Sequence, residues 1–233
     1  MFPTKDWLRA CLGSGRRTHR GTAMNTAMVP IRTLGPQHRE RIAQHLLSLT
    51  EPDRYLRFGY SASDEQVRRY ADLLDFERDE VFGIFNRRLD LIAISHVAFA
   101  ESGDYQGCAE FGVSVLASAR GRGYGARLFE RAVTLARNRG VRLMFIHALT
   151  ENTAMLKIAR NAGARIQHDG SESQAHLQLP PAGLDTRMSE LVAEQFGEVD
   201  YQLKKQARQF WSLLADLQEI RQGVRDGRHQ AAE

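Results

Sequence analysis

The chain has few of the residues that staple or anchor a fold from outside its core. Its 233 residues include two cysteines, Cys11 and Cys108, far apart and with no Cys or His at metal-ligand spacing. That argues against a disulfide framework and against a metal centre, and it fits free thiols in a reducing, cytoplasmic setting. No apolar run approaches the roughly 20 residues of a membrane-spanning helix, so no membrane partner is expected. Residues 1–27 have no apolar stretch of the kind a secretory signal needs. No Lys-Ser/Thr follows the glycines at 121–125, which removes a Walker phosphate loop. Excess charge is also scarce. The net charge is +4, and Lys5, Arg9, Arg16, Arg17 and Arg20 against Asp6 account for all of it. A neutral remainder is poor ground for a nucleic-acid-binding face.

What is present is ordinary for one substantial core: 42% hydrophobic and 26% charged residues. Residues 1–27 lack periodicity and are expected to be a disordered tail, or to precede the true start, since Met24 and Met28 could both initiate. A domain is expected over 28–181. It opens with a strand at 29–34, then an amphipathic helix carrying Ile42, Ala43, Leu46 and Leu47, and a short helix at 52–58. A third helix over 63–76 opens on a Ser63/Gln66 capping box. A hairpin around Arg87 and Arg88 follows, and a last hairpin turns at Gly170. Pro180, Pro181 and Gly183 mark a boundary. Beyond it, 182–226 is expected to be a helical extension, in two pieces at 184–196 and 199–224, with a disordered end at 227–233. The second piece carries Phe210, Leu213, Leu217, Ile220 and Val224 at three- and four-residue steps, beside Trp211 and Leu214. That stripe either packs on its own domain or forms a homodimer seam.

Residues 109–140 organise the domain. Phe111, Val113 and Val115 alternate with Glu110, Gly112 and Ser114, the period of a strand. Gly121, Gly123 and Gly125 then interleave with Arg120, Arg122 and Arg127, and a helix begins that ends at Gly140. Glycines let backbone approach a ligand, and a helix N-terminus offers free N–H groups and a positive dipole. Arginines add charge-assisted hydrogen bonds, so a phosphate or pyrophosphate is expected here. Gly121, Gly123 and Ala126 also match a dinucleotide fingerprint, but the next strand, 142–149, lacks the ribose-binding carboxylate that it calls for.

Arg120-x-x-Gly123-x-Gly125 resembles the R/Q-x-x-G-x-G/A signature of the GNAT superfamily of N-acetyltransferases. The Val113-Ser114-Val115 strand before it and the strand and Asn152-opened helix after it extend the likeness over about residues 29–180. The resemblance implies a mixed α/β sheet flanked by helices. It implies acetyl-CoA as acyl donor, held by Val113, Val115, Arg120, Gly121, Arg122, Gly123, Gly125, Ala126 and Asn152, with no metal. The acceptor would be an amine, either a small molecule or a protein lysine. The bacterial Pat-like protein-lysine acetyltransferases of this superfamily carry a base glutamate in a Glu-Phe-x-Val-x-Val context, which falls on Glu110. A carboxylate on an apolar strand needs a use or a partner; the competing reading is a solvated or ion-paired strand-end residue. Glu101, Asp104 and Glu151 read as loop or cap residues.

Asp53-Arg54-Tyr55-Leu56-Arg57-Phe58 also resembles a Pat-like stretch near the acceptor region, which points toward protein lysine; its arginines could equally pair with local carboxylates. Many relatives have a Tyr seven residues after the Asn, as proton donor to the leaving thiolate; here it is Ala159. Tyr124 lies too deep in the phosphate turn to replace it. His96 and His147 sit among apolar strand residues and are expected to be satisfied core histidines. Two other functions stay open at this point: an acyl-CoA-binding sensor or scaffold without strong catalysis, and a nicotinamide-dependent enzyme.

Overall fold

The computed structural model describes residues 29–100, 106–170 and 172–230, with side-chain surroundings omitted at 169, 172, 207 and from 209 onward. Cys11, Trp7, Glu101 and Asp104 fall outside the described residues. So does the packing of the stripe from Phe210 to Val224, and with it the dimer seam expected there.

Among the described residues seven strands form one mixed sheet in the order β1-β2-β3-β4-β5-β7-β6. They are β1 (Arg32–Leu34), β2 (Glu80–Phe85), β3 (Leu91–Phe99), β4 (Cys108–Val115), β5 (Leu143–Leu149), β6 (Arg165–Asp169) and β7 (Glu172–Gln178). The helices are α1 (Arg39–Leu47), α2 (Glu51–Phe58), α3 (Asp64–Asp72), α4 (Tyr124–Asn138), α5 (Thr153–Asn161) and α6 (Leu184–Gln230). Local chemistry sets several of these ends. Thr50 caps α2, and Gly59 in the left-handed region stops it. The Ser63/Gln66 box caps α3 as expected.

The alternation along β4 sends its side chains to two different layers. Phe111, with Val113 and Val115, packs with α4 and α5 in a core that includes Leu128, Phe129, Ala132 and Leu156. Glu110, Gly112 and Ser114 face the other way, toward α1, α2 and α3. There Ile42, Leu46 and Val67 pack on Val81, Leu91 and Ile94 in a second core.

Three sequence expectations are corrected. The first strand begins at Arg32, not at 29. The third helix ends at Asp72, because Leu73 and Leu74 close its last turn back on Arg69 and Ala71. The two expected helices after residue 183 are one, running through Gly197 without a break. Gly197 is there for close approach: a Cβ would overlap the carbonyl oxygen of Ile31. The first half of α6 therefore lies on its own domain. Arg32 bonds Glu198 at 3.0 Å and stacks on Tyr201, Arg131 pairs with Glu190 at 3.3 Å, and Lys204 donates to the Phe85 carbonyl at 2.9 Å.

Candidate active site

The sheet opens beside β4. Leu116 N donates to Ile92 O at 3.0 Å, and Ala100 N donates to Cys108 O at 3.1 Å. Even-numbered residues of β4 therefore bond β3, and antiparallel alternation turns the N–H and C=O of residues 109, 111, 113 and 115 toward β5. Yet β5 pairs with β4 over Cys108–Glu110 alone, opposite Leu143, Met144 and Phe145. Past Glu110 the two parallel strands part, and the N–H groups of Val113 and Val115 look into the gap.

Glu110 stands where the strands divide. It is exposed and, among the described residues, makes no ion pair or side-chain hydrogen bond. A cleft of about 230 Å³ opens around it, lined by Arg57, Gly112, Val113, His147, Asn152 and Met155 among others. Asn152 performs its expected cap, its side chain accepting from Met155 N at 3.1 Å. Its amide also reaches across to the Leu56 carbonyl at 3.5 Å. One expectation is corrected here: His147 is exposed and lines the cleft. It shares the sheet face of Glu110 because Phe145, two residues earlier, is the register partner of Glu110. His96 does behave as a satisfied, half-buried histidine. Ala159 is fully buried, so α5 puts no proton donor at that position.

The glycine turn lies beyond the C-terminal end of β4 and is not part of the cleft lining. Gly121 and Gly123 both have φ of 76°, a left-handed conformation that side chains disfavour. Gly123 caps α4 without a side chain, and the first helical bond runs from Arg127 N to Gly123 O. The N–H groups of Tyr124, Gly125 and Ala126 are thus left for a ligand. Gly125 lies against α5: a Cβ there would stand 3.2 Å from Ile158 Cδ1. Arg122 is exposed. Arg120 is already engaged. It meets Asp53 of α2 at 2.5 Å and donates to the Val115 carbonyl at 3.2 Å. Burial opposes ionisation of Asp53, but hydrogen bonds from Arg120 and Thr50 outweigh it and hold the carboxyl below its usual range.

A polar chain that no local pattern announced supports the cleft from behind. Arg57 Nη2 donates to Tyr70 Oη at 2.9 Å. Tyr70 lies 2.9 Å from His96 Nδ1, and His96 Nε2 lies 3.0 Å from Asp79 Oδ2. Burial of Asp79 is overcome by its bonds from His96, Arg78 and the Phe99 N–H, which hold its carboxyl far below the ordinary value. Nearby, His45 Nδ1 lies 2.8 Å from the Leu91 carbonyl and its Nε2 lies 2.9 Å from Ser114 Oγ. Burial lowers the His45 pKa to about 4, the Leu91 bond opposes this, and the charge of Arg57 adds to it.

Residues 43–164 match the acetyltransferase (GNAT) family model, just over half of the chain, and the protein belongs to that family. Among solved structures, the GNAT domain of S. lividans PAT is similar at 21% identity and TM-score 0.55, over 64% of this chain and 89% of that one. A GCN5-related N-acetyltransferase from Kribbella flavida is similar at 18% identity and TM-score 0.53, over 64% and 96%. The protein yncA from Salmonella typhimurium, solved with its cofactor acetyl-CoA, is similar at 14% identity and TM-score 0.51, over 66% and 95%. At these identities the likeness establishes the fold. With the family established, the dinucleotide reading of Gly121, Gly123 and Ala126 loses its basis. Among the described residues no helix is long and apolar enough to cross a membrane, and no cluster of potential metal ligands occurs.

Proposed function

We propose that the chain transfers an acetyl group from acetyl-CoA to a primary amine, with Glu110 as general base. The observation that carries the reading is the parting of β4 and β5, with Glu110 at its apex and the Val113 N–H facing the gap. The donor fits the residues present. The unfilled N–H groups at the start of α4, the left-handed Gly121 and Gly123, and Arg122 form an anion cradle for its pyrophosphate, and Arg120 joins them on release from Asp53. Asn152 would hold the pantetheine arm from α5. When bound, the donor supplies an activated thioester carbonyl.

The residues then divide the work. Glu110 accepts a proton from the acceptor ammonium, leaving a nitrogen lone pair to attack. The Val113 N–H donates to the carbonyl oxygen as negative charge gathers there. Ala159 cannot hand a proton to the departing sulfur. The thiolate leaves as an anion, which a CoA thiol is acidic enough to do, and the second proton of the attacking nitrogen passes to that thiolate or to solvent as the amide forms.

The acceptor is either a small amine or a protein lysine. An acyl-CoA thiol-release screen across amine classes, including bulk protein, tests the reading. Amine-dependent thiol release from acetyl-CoA is expected. Tight CoA binding with no turnover on any amine would convert the protein to an acyl-CoA sensor.

A further inference from the structure

Arg57 is built into the cleft without a partner for its charge. It comes from the last turn of α2 and lies across β4 at Gly112. A Cβ at that glycine would stand 2.8 Å from Arg57 Cζ, Nη1 and Nη2 alike, so the guanidinium lies flat on the strand. Only a glycine admits it there. Phe58 and Tyr70 flank it, with ring centroids 5.3 and 5.4 Å from its Cζ. With a neutral His96, the chain behind it has one self-consistent direction. The ionised Asp79 can only accept, so His96 Nε2–H donates to it and His96 Nδ1 accepts from the Tyr70 hydroxyl, which leaves the Tyr70 oxygen free to accept from Arg57.

That anchoring orients Arg57 without neutralising it. Arg32, Arg54, Arg120, Arg131 and Arg139 each pair with a carboxylate. Among the described residues Arg57 pairs with none, and its Nε is buried with no hydrogen-bond partner. A guanidinium offers five N–H donors in a fork that matches a carboxylate, and here one of them is used by the protein. Glu110, two residues from Gly112 on the same face of β4 and in the same cleft, is also unpaired. The two charges do not neutralise each other. A ligand bearing both an ammonium and a carboxylate satisfies both.

We propose that Arg57 binds a carboxylate carried by the acceptor, so that the acceptor is a small amino carboxylate with its nitrogen at Glu110. This rests on the acyl-transfer reading above and narrows its substrate class from any primary amine to a zwitterion. A carboxylate on the acyl chain fits less well, because it would lie beside Glu110. The cleft of about 230 Å³ also takes the acetyl end of the donor at Val113, which leaves room for a small acceptor.

The test pairs amino acids with their carboxamides, on the full chain with acetyl-CoA. A charge-assisted bond of the usual strength predicts a kcat/KM about tenfold or more higher for each acid than for its amide. Arg57→Gln should erase that ratio and leave acetyl-CoA affinity by calorimetry unchanged. Arg57→Lys should retain part of it. Gly112→Ala keeps the arginine but pushes it off the strand, and should also erase the ratio, so a misfolded Arg57 variant does not end the test. Calorimetry of the amino acids against the CoA-bound protein supplies a readout free of turnover. Carboxylate-dependent binding without acyl transfer would uphold the Arg57 site while rejecting the acyl-transfer reading. Equal rates for acid and amide, or an Arg57-dependent preference for malonyl- or succinyl-CoA over acetyl-CoA, would overturn the proposal. So would acetylation of peptide lysine with no free amino acid accepted.

Discussion

Arg120 and Arg57 serve the same strand, and the protein keeps them in opposite states. Arg120, at the C-terminal end of β4, is half exposed and already paired with Asp53. Arg57, across Gly112, is half buried and held by a phenol, with no carboxylate. Both arrangements depend on α2, where Asp53 and Arg57 are four residues apart and so share a helix face. The difference follows from what each has to meet. An ion pair whose arginine is half exposed is partly screened by water, and a pyrophosphate with several charges can displace its carboxylate. A small acceptor brings a single carboxylate, which competes poorly with a built-in one, so its arginine has to be oriented and unpaired beforehand.

Removing Glu110 should break the acceptor side hardest. Glu110→Gln is expected to lower the transfer rate by about 10²–10⁴-fold and to flatten its rise with pH, while CoA affinity stays at the wild-type value. Steady-state rates over pH, with calorimetry of CoA, check both halves. A variant within a few-fold of wild type would move the base role to water or to His147.

The acceptor side should also carry an acid sensitivity at higher pH than the one Asp53 gives the glycine turn. Folded His45 takes a proton only near pH 4, whereas an unfolded histidine does so near 6.5. Between those values the unfolded chain binds more protons, so stability falls as pH drops through the window. At about 1.4 kcal/mol per unit, the loss is on the order of 3 kcal/mol. Asp79, whose pKa is depressed, adds stability that is full above the ordinary carboxylate range and is lost at lower pH. Denaturant melts from pH 7 to 4 should show the slope, and His45→Gln should remove the His45 share, leaving that of His38 and His176, which burial also lowers. An unchanged slope in that variant would assign the sensitivity elsewhere.

The cofactor side should respond more modestly. Arg120→Gln removes one charge-assisted contact to the expected pyrophosphate and should weaken acetyl-CoA binding about tenfold, without a change in melting temperature beyond a degree or two. Unchanged affinity in the folded variant would take Arg120 out of the clamp.

These two sides were unequally legible in the sequence. The glycine turn, β4 and Asn152 lie within about 45 residues, and each meets a local rule: period two, left-handed glycines, a helix cap. The chain behind Arg57 follows no local rule. Tyr70 sits at a helical core spacing, His96 looks like a buried strand histidine, and Asp79 lies in a turn before β2. Only the crossing of α2 and α3 over β3 and β4 joins them, through bonds spanning 13, 26 and 17 residues. His147 escapes the sequence because period two says that alternate residues share a face, but not which face is left uncovered. The sequence divides the extension at 197–198 because the packing of Gly197 against Ile31 lies across the whole domain and follows no local pattern.

The smallest effect tests the comparison most directly. If the Asp53 pair merely stores Arg120 until the cofactor arrives, its carboxylate competes with pyrophosphate and binding carries the cost of breaking it. Asp53→Asn keeps the shape and the Thr50 contact but removes the charge. With Arg120 51% and Asp53 11% exposed, the pair is partly screened and worth about 0.2–1 kcal/mol, so acetyl-CoA should bind about 1.4- to five-fold tighter in the variant. Because the same helix carries Arg57, the acid-to-amide ratio of acceptors should stay at its wild-type value if the two arginines act independently. Calorimetry of acetyl-CoA and the paired acceptor assay give the two numbers. Weaker acetyl-CoA binding would mean that Asp53 holds Arg120 in its working position and is part of the clamp. Tighter binding with a changed acceptor ratio would mean that α2 moves as one piece, and that filling the cofactor turn resets the angle at which Arg57 meets its substrate.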